Sequence, residues 1–476
     1  MGSQLHIFLF PFLADGHIVP IVDMAKLFAS RGIKITILTT PLSSISISKS
    51  LHNFNSQIQL LLLDLPSSEA GLPGACENAD SILTPALFFK FISAMDLLRP
   101  QLEHALMEHR PHCLVADMFF PWANEVASKF GTPTLIFHGF SFFALSASEL
   151  ISIHQPHDHV SSDTHPFLIP HLPGDIKLTK MQLPTFPHGN TLSDVSNFFA
   201  KIKQSESDCY GMVVNSFYEL EAEYADCYRN VLGRKAWHIG PLSLCNKETQ
   251  EKAQRGRESA IDEQECMKWL DSKKPNSVVY VCFGSMVKFN SDQLMEIAIG
   301  LEASGQEFIW VVRKGKEEEE EEGQNWSSEG FEQRTEGKGM IIRGWAPQVL
   351  ILDHPAVGGF VTHCGWNSTL EGVTAGAPMV TWPVAAEQFY NEKLVSEVLK
   401  IGVPIGVEKW VMISGDFVRR EAVEKGIRRV MEGEEAEEMR NRAKELANMA
   451  RMAVAENGSS YSDLDALINE LKSLTV

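Results

Sequence analysis

The fold class is decided by the stretch Leu5-His-Ile-Phe-Leu-Phe-Pro-Phe12 and the turn Leu13-Ala-Asp-Gly-His17 that follows it. The first stretch is a short apolar run of the kind that forms a buried strand. After the glycine-containing turn, apolar residues recur at helical spacing from Ile18 until Gly32. This order of strand, turn and helix indicates an α/β unit, because strands that alternate with helices form parallel, doubly wound sheets.

The same alternation continues along the chain and then occurs a second time. Strand-like runs at residues 113–116 and 134–137 come before a polar, non-periodic segment, and runs at 277–283 and 308–312 come after it. We therefore predict two Rossmann-like doubly wound domains. The predicted boundaries are residues 1–245 for the N-terminal domain, 246–262 for an interdomain linker, 263–455 for the C-terminal domain and 456–476 for a helix that crosses back to the N-terminal domain.

Composition and charge narrow the class of protein. The chain has 476 residues, of which 44% are hydrophobic and 22% charged, and its formal net charge is −19. This composition is that of a globular protein, and the negative charge disfavours nucleic acids and anionic lipid as partners. The eight cysteines lack paired spacing, and we find no signal peptide or apolar run long enough for a membrane helix. We expect a cytoplasmic monomer without membrane insertion.

The densest group of polar and glycine residues lies between Gly358 and Gly372. It is predicted to form a buried strand, a turn and the start of a helix at Asn367 or Ser368. Because a helix N-terminus presents unpaired N–H groups and a positive dipole end, it suits a diphosphate. The alternative is a capping box, in which Ser368 and Glu371 only satisfy the start of their own helix. The spacing leaves both interpretations open.

The wider segment from Trp345 to Gln388 contains Trp345-Ala-Pro-Gln348, His363-Cys-Gly-Trp-Asn-Ser368 and Ala385-Ala-Glu-Gln388. It resembles the signature segment, or PSPG box, of plant secondary-product UDP-glycosyltransferases in glycosyltransferase family 1. The resemblance extends along the whole chain. It implies the glycosyltransferase B fold, in which two Rossmann-like domains face a cleft, with the donor UDP-sugar bound by the C-terminal domain.

The resemblance also assigns donor roles to individual residues. Trp345 would stack on uracil, Glu371 would bind the ribose hydroxyls, and His363 would lie against the diphosphate, which agrees with the chemistry of an aromatic face, a carboxylate and a polar donor. A terminal Gln388 indicates glucose rather than galactose. The implied donor residues, called the donor set below, are Ser285, Trp345, Ala346, Gln348, His363, Gly365, Trp366, Asn367, Ser368, Glu371, Glu387 and Gln388.

The N-terminal domain is expected to supply the chemistry of transfer. His17 matches the general base of the family, and Asp117 matches its carboxylate partner. An imidazole with a pKa near about 6.5 can take a hydroxyl proton around neutral pH, and a carboxylate would orient it. Direct attack inverts the anomeric centre, so an α-linked donor would give a β-glycoside. We expect no metal and no cofactor besides the co-substrate UDP-glucose. Asp15 departs from the family pattern: it would raise the pKa of His17, bind an acceptor hydroxyl, or be a solvated turn residue.

The acceptor is expected to be a small lipophilic plant metabolite, such as a flavonoid, another phenolic or a triterpenoid sapogenin, that reacts through a hydroxyl or, alternatively, a carboxyl. It would bind in the cleft against apolar side chains. The candidate acceptor residues are Phe12, Phe119, Phe120 and Phe140, with Phe198 and Phe199 as further candidates.

Other functions fit the sequence less well. Use of UDP-galactose or UDP-glucuronic acid remains an alternative, and so does a non-catalytic nucleotide-sugar-binding protein, which the presence of both His17 and Asp117 disfavours. A dehydrogenase is disfavoured because the first strand lacks the Gly-x-Gly-x-x-Gly turn. The Asp463-Leu-Asp465 triplet imitates a metal motif, but it falls on a helix, and we interpret it as a solvated helix face.

Overall fold

The computed structural model describes residues 4–54, 56–73, 76–82, 84–184, 192–313 and 328–474. The chain divides into two compact units. Unit 1 comprises residues 1–142, 186–247 and 452–476, and unit 2 comprises residues 143–185 and 248–451. Residues 143–185, which the sequence analysis placed in the N-terminal domain, therefore belong by their contacts to unit 2. In one such contact, the Trp410 N–H donates to the Met181 carbonyl oxygen at 2.8 Å.

The strands are short, from two to six residues long. In chain order they are β1 (His6–Phe10), β2 (Lys34–Thr39), β3 (Ile58–Leu62), β4 (Cys113–Asp117), β5 (Thr134–Phe137), β6 (Phe167–Leu168), β7 (Lys177–Leu178), β8 (Gly211–Val214), β9 (Ala236–His238), β10 (Val278–Cys282), β11 (Glu307–Val312), β12 (Gly339–Arg343), β13 (Val357–Thr362), β14 (Met379–Thr381) and β15 (Gly402–Pro404).

Helices connect most of these strands. In chain order they are α1 (Asp15–Ser30), α2 (Pro41–Ser50), α3 (Pro85–Asp96), α4 (Arg99–His109), α5 (Ala123–Ser128), α6 (Phe142–His154), α7 (Leu192–Asp208), α8 (Tyr218–Asp226), α9 (Thr249–Ala253), α10 (Glu263–Asp271), α11 (Ser291–Ser304), α12 (Ser328–Arg334), α13 (Gln348–Leu352), α14 (Trp366–Ala375), α15 (Gln388–Lys393), α16 (Arg420–Met431), α17 (Gly433–Val454) and α18 (Ser459–Ser473). Among the described residues, no helix combines the length and apolarity that a membrane crossing requires.

Unit 1 is built on a parallel sheet with the strand order β3-β2-β1-β4-β5-β8-β9 among the described residues. Every residue of β1 is buried, because both faces of the sheet are covered. Ile7 and Leu9 pack in one core cluster with α1 and α18, whereas Phe8 and Phe10 pack in the other with α3, α4 and α5. This two-sided burial explains why the strand is a continuous apolar run.

The C-terminal helix α18 packs into the core of unit 1. Its apolar face is buried in the same cluster as β1 and α1, which confirms the predicted return to the N-terminal domain. Its acidic residues also make contacts, because Asp463 binds Arg229 at 2.7 Å and accepts the His238 N–H at 2.9 Å. Asp465 pairs with Arg31. The interpretation as a solvated face is therefore wrong for Asp463, whereas Asp465 is 44% exposed.

Unit 2 is built on a second parallel sheet, with the order β12-β11-β10-β13-β14-β15 among the described residues. A separate antiparallel pair, β6 and β7, belongs to the same unit. The predicted class of two Rossmann-like α/β domains is thus confirmed. In each large sheet the strand order reverses once, between β1 and β4 in unit 1 and between β10 and β13 in unit 2. Ligands of open α/β sheets bind outside the carboxyl ends of the strands at such a switch point.

Candidate active site

The switch point of unit 1 holds the predicted catalytic pair. Asp117 is the last residue of β4, and His17 lies in the first turn of α1, directly after the turn that follows β1. The His17 Nδ1 and Asp117 Oδ2 atoms are 2.7 Å apart. The Asp117 side chain is fully buried, while that of His17 is 20% exposed. The second carboxylate oxygen accepts the Phe119 N–H at 3.1 Å, which fixes the carboxylate in place.

This contact determines which nitrogen of His17 can act as a base. A carboxylate only accepts hydrogen bonds, so Nδ1 carries the proton that donates to Asp117. The lone pair of the neutral ring is then on Nε2. The arrangement gives a base whose tautomer and orientation are set by its buried partner, as in other His–carboxylate pairs.

Aromatic side chains surround this pair. Phe12 stacks on Phe119 with ring centroids 4.2 Å apart, and both rings meet the His17 ring edge to face, at 5.2 and 5.6 Å. Phe198 stacks on the other side of the group, 6.1 Å from Phe119, and Phe140 packs in the same cluster. These four phenylalanines, which we call the aromatic group, place an apolar surface beside the base.

Two interpretations from the sequence change at this site. Phe120 is a core residue, 1% exposed, and it stacks on Phe10 with centroids 3.7 Å apart, so we do not retain it as an acceptor residue. Asp15 is 6% exposed, and its N–H donates to the buried Asp80 carboxylate at 3.0 Å. The interpretation of Asp15 as a solvated turn residue is therefore wrong.

The switch point of unit 2 brings together two turns of the donor set. Ser285 lies in the turn after β10, and His363 follows β13. Two glycines flank the His363 ring, because a Cβ added at Gly284 would lie 2.6 Å from the ring Cε1 and one added at Gly365 would lie 2.5 Å from Nε2. Larger residues would displace the ring, so the glycines are what allow the two turns to meet around it.

His363 has the properties of a ligand-binding group. The residue is only partly exposed, and the burial of its ring lowers the pKa of His363 to about 4. The ring is therefore neutral at physiological pH. Within the part of the chain that the structure describes, its buried Nδ1 has no hydrogen-bond partner. Buried polar atoms in native proteins are normally satisfied, and an orphan in a switch-point turn therefore marks a position where a ligand atom can bind.

The helix that follows this turn begins earlier than the sequence indicated. Helix α14 starts at Trp366 after the N-cap residue Gly365, and the Trp366 N–H donates to Glu387 at 3.1 Å. Ser368 and Glu371 lie inside the helix, and both accept hydrogen bonds from Gln348 Nε2, at 3.0 and 2.7 Å. The capping-box alternative is therefore wrong.

A residue that the sequence analysis missed contacts the same carboxylate. Arg255 Nη1 lies 2.6 Å from Glu371 Oε1, and the two side chains are only 10% and 6% exposed. The carbonyl oxygen of Arg255 also accepts the indole N–H of Trp345 at 3.3 Å. Arg255 lies in the polar segment predicted to be a linker, and a segment without periodicity gives no signal for a contact of this kind.

The remaining donor residues are held by local structure. Glu387 accepts the Trp366 N–H and an amide hydrogen of Asn391, each at 3.1 Å. The Gln388 side-chain oxygen accepts two backbone N–H groups of its own turn, each at 2.8 Å, which fixes the orientation of the amide. Ala346 is buried, and Asn367 lies half-buried in the first turn of α14. The donor set thus lies between residues 285 and 388 of unit 2.

Among the described residues, no group of three or more His, Cys, Asp and Glu side chains is placed to hold a metal ion. The expectation of metal-independent transfer stays a prediction.

One switch point holds an oriented base, and the other holds aromatic, carboxylate and imidazole groups suited to a nucleotide. Together they define a two-unit transferase that uses an activated nucleotide donor. The sequence matches the family described as "UDP-glucoronosyl and UDP-glucosyl transferase" over residues 182–446, more than half of the chain. The chain belongs to this family, and it is a UDP-glycosyltransferase.

Known proteins resemble it over nearly its whole length. A UDP-glucose flavonoid 3-O-glucosyltransferase of Fragaria ananassa is 57% identical, with 99% of this chain and 97% of the relative covered. A scopoletin glucosyltransferase of Nicotiana tabacum is 52% identical, with 98% of each chain covered. The crystal structure of Glycyrrhiza uralensis UGT73P12 complexed with glycyrrhetinic acid 3-O-monoglucuronide has a TM-score of 0.89 at 39% identity, with 99% of this chain and 96% of that chain covered.

Proposed function

We propose that the protein is an inverting, metal-independent UDP-glucose-dependent O-glucosyltransferase that acts on a hydroxyl of a small lipophilic plant metabolite. The observation that carries this proposal is the 2.7 Å contact between His17 and the buried Asp117 at the switch point of unit 1. A protein that only binds a nucleotide sugar has no need of an oriented base.

Unit 2 binds the donor in this proposal. Trp345 stacks on the uracil, and Glu371 and Gln348 bind the ribose. The neutral His363 donates to the diphosphate, together with the N–H groups at the start of α14. Gln388 meets a hydroxyl of the glucose through its amide nitrogen, which favours UDP-glucose over UDP-galactose and UDP-glucuronic acid.

Unit 1 supplies the base. His17 Nε2 takes the proton of the acceptor hydroxyl as its oxygen forms a bond to the anomeric carbon. The bond between this carbon and the β-phosphate oxygen breaks, and UDP leaves with the electron pair. Asp117 stabilises the imidazolium that forms. Because the attack is opposite to the leaving group, an α-linked donor gives a β-glucoside. No metal or further cofactor takes part in the proposed reaction.

The acceptor class follows from the aromatic group beside His17. Stacked phenylalanines bind flat, apolar molecules, which suits flavonoids and other phenolics. The relatives named for flavonoid and scopoletin glucosylation support this class. The relative crystallised with glycyrrhetinic acid 3-O-monoglucuronide supports the alternative of triterpenoid sapogenins. A carboxyl of the same kind of molecule is the other acceptor group to test.

The test compares the His17→Ala variant with the wild type on flavonoid, scopoletin and triterpenoid acceptors with UDP-glucose. Loss of a general base lowers turnover by about 10²–10⁴-fold. We expect such a loss in kcat, while the Kd of UDP changes less than about 2-fold, because the donor residues lie in unit 2. His104→Ala, which changes a histidine that is 70% exposed, serves as the control.

Several results would contradict the proposal. Unchanged turnover of His17→Ala would exclude it as the base. Activity that requires added Mn²⁺ after chelation would exclude metal-independent transfer, and a higher kcat/KM with UDP-galactose or UDP-glucuronic acid would exclude the glucose preference. A wild-type protein that binds UDP but glycosylates no acceptor would support the non-catalytic alternative.

A further inference from the structure

We propose that Arg255 is a positioning residue of the donor site, which holds the Glu371 carboxylate for the ribose and offsets its charge beside the diphosphate. This inference rests on the proposed role of Glu371. It concerns the segment of residues 252–260, which we call the strap and which begins with the last two residues of α9.

The strap contacts two donor residues at once. The Arg255 guanidinium binds Glu371 at 2.6 Å, and the Arg255 carbonyl oxygen accepts the Trp345 indole N–H at 3.3 Å. Trp345 and Glu371 are the residues proposed to bind the base and the sugar of the nucleoside. A single residue of the strap therefore fixes both.

The strap is itself fixed on either side of Arg255. Before it, Lys252 Nζ lies 2.7 Å from Asp353 Oδ2. After it, the Ala260 N–H donates to the Trp345 carbonyl oxygen at 2.8 Å. Gly256 has a φ of +86°, and a Cβ at this position would lie 2.2 Å from the Trp345 Cζ2 atom. The strap can lie this close to the indole only because residue 256 is glycine.

Arg255 does not block the ribose. Among the described residues, the Glu371 carboxylate accepts one hydrogen bond at each oxygen, from Arg255 at Oε1 and from Gln348 at Oε2. An ionised carboxylate has about four lone-pair sites. One site per oxygen thus remains, which is what the two hydroxyls of a ribose diol require.

Arg255 also changes the electrostatics of the site. Glu371 lies one helical turn beyond Ser368, near the start of α14 where the diphosphate is proposed to bind. A buried carboxylate without a counter-ion would repel that diphosphate, and repulsion in a buried site is only weakly screened. The guanidinium of Arg255 offsets this charge. Its loss should therefore weaken the binding of UDP more than that of uridine.

The experiment measures Kd for UDP and for uridine by calorimetry, together with steady-state kinetics. For Arg255→Met, which keeps most of the side-chain volume, we expect a Kd for UDP raised about 10-fold or more and a smaller change for uridine, in keeping with the effect of unpairing a buried charge. The KM for UDP-glucose should rise, while kcat and the KM for the acceptor change less than about 3-fold. Arg255→Lys should restore part of the affinity. Arg257→Met removes the same charge from an exposed position of the strap and is the matched control.

The Glu371→Gln variant distinguishes a positioning role of Arg255 from a role of Arg255 in folding. The double variant Arg255→Met/Glu371→Gln contains no unpaired buried charge, and in the Glu371→Gln background the Arg255 change should raise the Kd of UDP by a smaller factor than in the wild type, because Arg255 no longer has a carboxylate to position. Thermal unfolding monitors each variant. If the wild type fails to bind UDP, the proposed function itself is wrong. If it binds UDP and Arg255→Met binds UDP equally or more tightly, the inference about Arg255 is overturned and the proposed function stands.

Discussion

At the scale of single residues, the proposed donor site depends on glycines, which have no side chain. The His363 ring lies between Gly284 and Gly365, and the Trp345 indole lies against Gly256. Two of these glycines, Gly256 and Gly284, also have a positive φ, which residues with a Cβ rarely adopt. The glycines therefore set both the backbone path and the clearance around the side chains proposed to bind the ligand.

Gly284→Ala tests this role. A Cβ at residue 284 would overlap the His363 ring, so we expect the ring to shift and the Kd of UDP to rise about 10-fold. Gly305→Ala is the matched control, because Gly305 has the same φ of +72° but nothing within 4 Å of an added Cβ. Both variants should lose stability by about 1 kcal/mol from backbone strain. Equal UDP affinity in the two variants, measured by calorimetry, would show that the Gly284 contact has no role in binding.

At the scale of elements, helix α18 is held by its polar face as well as by its apolar one. Burial alone would raise the pKa of Asp463, but hydrogen bonds from His238 and the charge of Arg229 outweigh burial and lower it. The same carboxylate accepts the His238 backbone N–H. Asp463, which a helical pattern places next to an apolar face, thus locks the helix onto β9.

Asp463→Asn should therefore destabilise the protein by about 1–2 kcal/mol at pH 7. Since the pKa of Asp463 is lowered in the folded state, its stabilisation is present above the unfolded value of 3.8 and is lost as the pH falls through the lower folded value. The difference between variant and wild type should thus shrink below about pH 4. Denaturation at pH 7 and pH 3.5 would measure it.

Asp465→Asn provides the comparison within the same helix. Asp465 pairs with Arg31 but is 44% exposed, so solvent screens the pair and we expect a loss below about 1 kcal/mol. A loss at Asp465 as large as the loss at Asp463 would contradict the assignment of Asp463 as the anchor of α18.

At the scale of the whole molecule, two parallel sheets of similar construction carry different chemistry at equivalent positions. In each, the chemistry lies where the strand order reverses, between β1 and β4 and between β10 and β13. Unit 1 has the oriented base, and unit 2 has the residues proposed to bind the nucleotide. Binding of the donor and activation of the acceptor are thereby assigned to separate parts of the chain.

Hydrogen exchange with and without UDP tests this separation. Saturation at about 100 times the Kd stabilises the bound state by about 2.7 kcal/mol. We expect the strongest protection in residues 345–371 and in the strap, and weaker protection in residues 6–17 and 113–119. Trp345→Ala should remove the protection. Protection that is strongest in residues 6–17 would contradict the assignment of the nucleotide to unit 2.

The sequence alone was sufficient for the fold class and for most of the candidate site. The turn that ends in His17 and the segment from Trp345 to Gln388 are local patterns. Local patterns can be recognised in the sequence, because strand, turn and helix signals involve neighbouring residues. The same patterns placed His17 and Asp117 at strand ends, where the carboxyl ends of parallel strands meet.

Only the tertiary structure decided the rest. Arg255 and Glu371 are 116 residues apart, and Arg229 and Asp463 are 234 residues apart, so no periodicity connects them. Phe119 and Phe120 are adjacent in the sequence, yet Phe120 packs in the core and Phe119 contacts His17. Burial and ion pairing depend on which distant segments pack together, and that is a property of the folded chain rather than of any stretch within it.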